Sequence, residues 1–177
     1  MIASKKSKGR VAILAENGYQ EMELWVPLYR LREEGYETVI VAPAPGTYKS
    51  KCGYPAVATL AAAEADPATL AGVVIPGGWA PDRLRMDDGV LKLVQALFEQ
   101  NSVVAAICHA GWVLASAGVT RGRRITCYEA IRDDMVNAGA EYLDQEVVVD
   151  GNLITSRKPD DIPAFCAAIL AALKERA

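Results

Sequence analysis

Short apolar runs of strand length alternate along this chain with longer amphipathic segments, and no other feature restricts its fold as strongly. This is the pattern of βαβ units, in which strands buried on both faces are covered by helices. Residues 11–15, Glu37–Ala42, Gly72–Ile75 and Val103–Ile107 read as the buried strands. A helix is predicted over residues 20–34, where Leu24, Leu28 and Leu31 recur at i, i+4 and i+7. Pro27 should kink it locally and Gly35 should close it. Further helices are predicted over residues 88–100, 109–117 and 129–137. A last one runs from Asp160-Asp161, whose charges suit a helix N-terminus, to about Arg176. Residues 43–60 read as a loop with short strand pieces, and Asp150-Gly151-Asn152 joins residues 146–149 to 153–155 as a hairpin. The order predicts an α/β three-layer αβα sandwich with a mostly parallel sheet. One domain is expected over residues 1–177, with residues 1–9 as a tail.

Composition narrows the function classes. The 177 residues are 51% hydrophobic and 23% charged, with a net charge of −3 and no basic stripe. Nucleic acid is therefore not an expected partner. The run Lys5, Lys6, Lys8, Arg10 reads as a solvated tail. No segment approaches the ~18–20 apolar residues that span a bilayer, and the N-terminus lacks a signal-peptide core, so a cytoplasmic protein away from membranes is expected. Cys52, Cys108, Cys127 and Cys166 lie far apart, and His109 is the sole histidine. A zinc set would consume nearly all of them, so no metal or other cofactor is expected.

The chemistry concentrates at one point. The strand Val103–Ile107 runs into Cys108 and on into a helix, with small Ala106 and Ala110 on either side. A strand–nucleophile–helix elbow needs small residues there, because the turn draws two backbones together. Unpaired amides and the positive dipole at the helix start would favour thiolate over thiol. The same amides suit an oxyanion pocket, with the His109 N–H as one donor. Gly78, in the turn Pro76-Gly77-Gly78 at the end of a neighbouring strand, is the candidate second donor.

Around these residues the chain resembles the ThiJ/PfpI superfamily, in its PfpI-type intracellular protease or deglycase branch. The likeness runs through Tyr19-Gln-Glu-Met-Glu-Leu24, Pro76-Gly-Gly-Trp-Ala-Pro-Asp-Arg83 and Ala106-Ile-Cys-His-Ala110. It continues in Gly118-Val-Thr-Arg-Gly-Arg123, Asp133-Asp-Met-Val-Asn-Ala-Gly-Ala140, Val147-Val-Val-Asp-Gly-Asn152 and Ser156-Arg-Lys-Pro-Asp-Asp161. The resemblance implies a glutamine-amidotransferase-like (flavodoxin-like) fold and a homodimer or higher homo-oligomer. It implies a stress-response enzyme acting on small carbonyl compounds, glycated proteins or peptides. It makes Cys108 the nucleophile, Gly78 and the His109 amide the oxyanion pocket, and Asp82 an acid that reaches His109 across a subunit interface.

One departure from the family pattern is read here. The family's glutamate beside the cysteine aligns with Gln20, whose amide can donate a hydrogen bond to a thiolate or sulfinate but cannot shuttle a proton. A one-residue shift would make Glu21 the candidate. The alternative to an enzyme is therefore a redox or stress sensor, with Cys108 oxidised, Gln20 supporting the product and little turnover. His109 and Cys108 are expected to point apart on the elbow, leaving His109 either a relay through a partner's Asp82 or a packed ring. Asp82 reads equally as a helix cap after Pro81. Trp79 and Trp112 line the site or, more simply, pack in the core; Arg83 and Arg85 bind a carboxylate or form surface ion pairs. Cys166 reads as packing, and Cys52 and Cys127 as incidental thiols in loop-like surroundings, open either to solvent or to the site.

Overall fold

The computed structural model describes residues 8–176. In chain order it comprises β1 (Arg10–Leu14), α1 (Glu21–Glu33), β2 (Glu37–Ala42), β3 (Gly46–Lys49), β4 (Pro55–Ala58), β5 (Leu60–Ala61), β6 (Gly72–Ile75), α2 (Ala80–Leu84), α3 (Asp88–Glu99) and β7 (Val103–Ile107). There follow α4 (Gly111–Ser116), β8 (Arg124–Ile125), α5 (Arg132–Asn137), β9 (Glu141–Tyr142), β10 (Val147–Asp150), β11 (Leu153–Ser156) and α6 (Ile162–Glu175). The main sheet has the order β10-β11-β7-β6-β1-β2-β5. Its pairings are parallel except β10 with β11, the predicted hairpin, whose turn places Gly151 at φ +63°.

Burial explains why the apolar runs became central strands. Every residue of β6 and β7 is buried, as a strand covered on both faces requires. Helices flank the sheet: α1 packs with α6, while α2, α3 and α5 each pack against α4. Leu24, Leu28 and Leu31 are fully buried along α1, each contributing about 1.5–3 kcal/mol by leaving water. Helix α1 remains one assigned helix through Pro27, and Gly35, at φ +93°, follows its C-cap Glu34.

Several boundaries differ from the sequence reading. The predicted loop over residues 43–60 holds an antiparallel β3–β4 hairpin. The helix predicted over residues 109–117 begins as a 3-10 turn, Cys108–Ala110, before α4. Another 3-10 turn, Glu129–Ile131, precedes α5. Lys8 and Gly9, assigned to the tail, already hydrogen-bond Gly35 and Glu37 at 3.2 and 2.9 Å. The rest of that tail, with Lys5 and Lys6, lies outside the described residues. Among the described residues no helix is long and apolar enough to cross a membrane.

The parallel strands β1, β6 and β7 end side by side. Their carboxyl ends deliver the turn before α1, the Pro76-Gly77-Gly78 turn and Cys108 to one place, where open α/β sheets bind ligands.

Candidate active site

Cys108 occupies a backbone conformation that side-chain-bearing residues seldom adopt, with φ at +63°. Strain of this kind costs on the order of 1–3 kcal/mol and persists only where surrounding structure imposes it. Here β7 fixes the entry and the 3-10 turn fixes the exit, while the Tyr128 amide donates to the Cys108 carbonyl at 3.2 Å. The thiol is thereby carried off the end of the sheet, and the residue is 8% exposed.

The neighbours of the sulfur meet at Gly77. A Cβ added there would lie 2.7 Å from Cys108 Cβ, 2.8 Å from Glu23 Oε2 and 3.0 Å from the His109 nitrogen, so no larger residue fits. Gly78, at φ +79°, is equally confined, since its added Cβ would sit 2.4 Å from the Gly18 carbonyl oxygen. The amides of Gly78 and His109 favour the anion of the sulfur.

The carboxyl beside the sulfur belongs to Glu23. It is completely buried, and its Oε2 accepts the Gly77 N–H at 2.7 Å. Its Oε1 makes no conventional hydrogen bond, and the group lies against the Cys108 thiol. Burial pushes the Glu23 carboxyl up to about 7, against the pull of the Gly77 amide, of Cys108 and of the Lys51 charge. Burial, with the negative charge of Glu23, pushes the Cys108 thiol up to about 12 despite the two amides. The ready thiolate expected from the helix start is thus not the resting form: desolvation outweighs the amides.

Two sequence expectations are corrected here. Gln20 does not stand beside Cys108. It is the N-cap of α1, and its Oε1 accepts the Glu23 N–H at 2.9 Å. Glu21 is not there either, because its Oε1 accepts the Cys52 amide at 2.6 Å as well as the Ser50 hydroxyl. With Glu23 in place, the site keeps a proton-carrying group that the alignment on Gln20 had removed. The sequence signal was available: Glu23 falls within the stripe of Leu24, Pro27, Leu28 and Leu31, where a charged residue must be buried with the core. The second correction concerns His109, which does not point away. Its Nδ1 lies 3.3 Å from Cys108 Sγ. The ring stacks on Tyr128 with centroids 4.9 Å apart and meets Trp112 edge-on at 5.4 Å. Partial burial, helped by the charge of Lys51, lowers its pKa and favours the neutral ring.

A thiol at a strained elbow, flanked by a carboxyl, an imidazole and two converging amides, is equipped for nucleophilic attack on a carbonyl carbon. Residues 9–172 match the model of the DJ-1/PfpI family. The chain belongs to the DJ-1/PfpI family. It is similar to the deglycase PfpI of Pyrococcus furiosus, with 40% identity over 165 residues covering 93% of this chain and 99% of that protein. It is similar as well to protein/nucleic acid deglycase 2 of Escherichia coli, at 38% identity over 88% of this chain and 92% of that one. Among solved structures it superposes on Drosophila melanogaster DJ-1beta with a TM-score of 0.87 at 27% identity, covering 96% of this chain and 95% of the other. It also superposes on a two-domain protein from Anabaena variabilis with DJ-1/ThiJ/PfpI-like and ferritin-like domains, with a TM-score of 0.92 at 42% identity. That match covers 94% of this chain and 48% of the two-domain one. The flavodoxin-like sandwich read from the sequence is the fold of these DJ-1 relatives.

The remaining candidates of this DJ-1/PfpI chain fall around the rim. Asp82 is exposed and forms no side-chain hydrogen bond or ion pair among the described residues. It does not cap α2, whose N-cap is Trp79. Trp79 is 67% exposed rather than packed in the core. Trp112 is half-buried, and its indole N–H donates to Asp134 at 2.7 Å. Arg85 lies over the Trp112 ring at 5.6 Å and donates to Ser116, and it makes no ion pair among the described residues. Cys166 is buried as expected. Cys127, separated from β8 by one residue, is also buried, whereas Cys52 is exposed.

Proposed function

We propose that this chain is a cysteine-dependent deglycase of PfpI type, acting on reactive-carbonyl adducts of amines and thiols. The observation that carries this reading is the sulfur of Cys108 held between Glu23 and His109 with the Gly78 and His109 amides aimed at it. On an aminocarbinol formed from a 2-oxoaldehyde and an amine, the sulfur displaces the amine at the aldehyde-derived carbon. The thiol proton passes to Glu23 or to His109 Nδ1 and leaves with the amine. A proton then moves from that carbon to the neighbouring keto carbon, with Glu23 as carrier, and the hydroxyl proton passes to the former keto oxygen, turning the hemithioacetal into a thioester. The Gly78 and His109 amides stabilise the oxyanion that develops. Water attacks the thioester and releases a 2-hydroxy acid and the free thiol. The names of the relatives support the substrate class, and Glu23 supplies the proton carrier that the isomerisation needs.

Activity of the homo-oligomer, a cytoplasmic location and a relay from His109 to Asp82 of a second subunit belong to the same reading. Exposure of Asp82 is compatible with it. The sensor alternative rested on Gln20 beside the sulfur, and that premise fails. The test is release of amine and 2-hydroxy acid from methylglyoxal-treated N-acetyl-lysine by the wild type and by Cys108→Ala. Turnover by the wild type and none by the variant is expected. Equal turnover by both would overturn the reading. Absence of turnover in both, with selective oxygen addition at Cys108 under mild peroxide, would favour the sensor.

A further inference from the structure

Lys51 lies in the turn after β3, and its backbone is anchored to the segment that enters α1. Its amide donates to the Tyr19 carbonyl at 2.9 Å. Tyr19, fully buried, forms one bridge to Ser50 and another to Gly78. The Lys51 backbone is therefore tied, through one residue, to the turn whose amide faces the Cys108 sulfur. Its side chain reaches further in the same direction. The ammonium sits 5.3 Å above the ring of Trp79, the residue that follows Gly78.

Two properties of this ammonium stand out. Among the described residues it has no carboxylate partner and no hydrogen-bond acceptor, only the face of the indole. Its field also reaches both groups that flank the sulfur, lowering the pKa of Glu23 and that of His109. An unpaired cation parked on a solvent-exposed ring at the mouth of a nucleophilic site is available to a ligand of opposite charge.

We infer that Lys51 is a specificity-determining residue, which favours electrophiles carrying a carboxylate near the carbon that Cys108 attacks. For turnover this rests on the deglycase reading, and names its preferred substrates as adducts bearing an anionic group. For the sulfur itself it rests only on the position of Lys51.

The decisive experiment uses two alkylating agents of similar size, iodoacetate and iodoacetamide. In both, the sulfur displaces iodide, and they differ in carrying a carboxylate or a neutral amide. Rates are followed at Cys108 by peptide mass mapping, because Cys52 is also exposed. The ratio of the two rates cancels any change in the ionised fraction of the thiol. In Lys51→Met the iodoacetate-to-iodoacetamide ratio should fall about three- to tenfold, as expected for removal of one charge near the reagent in a partly solvated site. Lys51→Arg should keep the wild-type ratio, and added salt should shrink the wild-type preference toward that of Lys51→Met. An unchanged ratio in Lys51→Met would overturn the inference. Methylglyoxal hemithioacetals of N-acetylcysteine and of N-acetylcysteine amide then read the same preference in turnover. A shifted alkylation ratio with neither hemithioacetal consumed would leave the anion preference standing and remove the deglycase reading.

Discussion

Helix α1 carries two glutamate–cysteine pairs two residues apart, and they behave as opposites. Glu21 receives the Cys52 amide and the Ser50 hydroxyl on the solvent side. Slight burial works to raise its pKa, but these hydrogen bonds outweigh it and hold the carboxyl below its ordinary range. Its contact with the Cys52 thiol raises that thiol. Glu23 faces inward, and the same pairing of residue types is buried with it. There desolvation outweighs the hydrogen bonds, so the carboxyl rises to about 7 and Cys108 to about 12. A rotation of about 200° around the helix, two residues at 3.6 per turn, separates a solvated pair from a pair that must share a proton. Sequence adjacency says little about chemistry here; the helix face decides it.

The largest effect expected from breaking the buried pair is on turnover. Glu23→Gln keeps shape and burial but carries no proton, and kcat should fall by about a hundredfold or more. Glu21→Gln, its surface counterpart, should leave kcat within about twofold, since surface changes away from a site are nearly neutral. Equal losses in both variants would mean that the two glutamates are not separated as described. The pH profile sharpens the contrast. Above about pH 7 the Glu23–Cys108 pair holds one proton, and it keeps that proton until about 12. Iodoacetamide modification of Cys108 should therefore rise to an inflection near pH 7 and then level off. In Glu23→Gln the inflection near 7 should vanish, leaving the rise governed by thiol ionisation alone.

Stability should follow the same carboxyl with a definite sign. Its ordinary value of 4.5 is raised to about 7 on folding. Between those values the fold holds a proton that the unfolded chain has released. The wild type should thus lose stability as pH climbs from about 4.5 to about 7 and lose no more from this group above it. By linkage the total is up to about 3 kcal/mol relative to Glu23→Gln. Urea unfolding of both proteins at pH 5 and pH 8 measures it, and parallel behaviour would contradict a buried, proton-holding Glu23.

Much of the fold was legible because long-range order in a parallel sheet follows from local pattern. The runs at β6 and β7 are apolar throughout because both their faces are covered, those at β1 and β2 become apolar past their first residues, and the Asp150-Gly151-Asn152 turn announces its hairpin. The elbow was legible too, since Ala106 and Ala110 frame a cysteine that the structure sets at φ +63°. What surrounds the sulfur was less so. The choice between Gln20 and Glu23 turns on which residue caps α1 and which one enters the core, and three positions on a helix are nearly one full turn. The 3.3 Å contact between Cys108 and His109 was missed because a 3-10 turn, rather than an α-helical start, follows the strand. Gln20 now has a structural role that can be measured. Gln20→Ala, which removes the acceptor for the Glu23 amide, should cost about 1 kcal/mol, as loss of an N-cap does. Gln20→Glu should gain no new dicarbonyl turnover, because the proton carrier is already in place at Glu23.

The smallest expected effect lies on the solvated pair, and it isolates what Glu21 does to Cys52. The hydrogen bond and charge of Glu21 raise that thiol. Glu21→Gln removes the charge, so the Cys52 thiol should return toward its ordinary range and ionise more at pH 8. Iodoacetamide should then modify Cys52 up to a few times faster, while the rate at Cys108 stays as it was. The reverse experiment, Glu23→Gln, should change Cys108 and leave Cys52 alone. If either substitution moved both cysteines together, one electrostatic network would span α1, and burial alone would no longer account for the difference between its two faces.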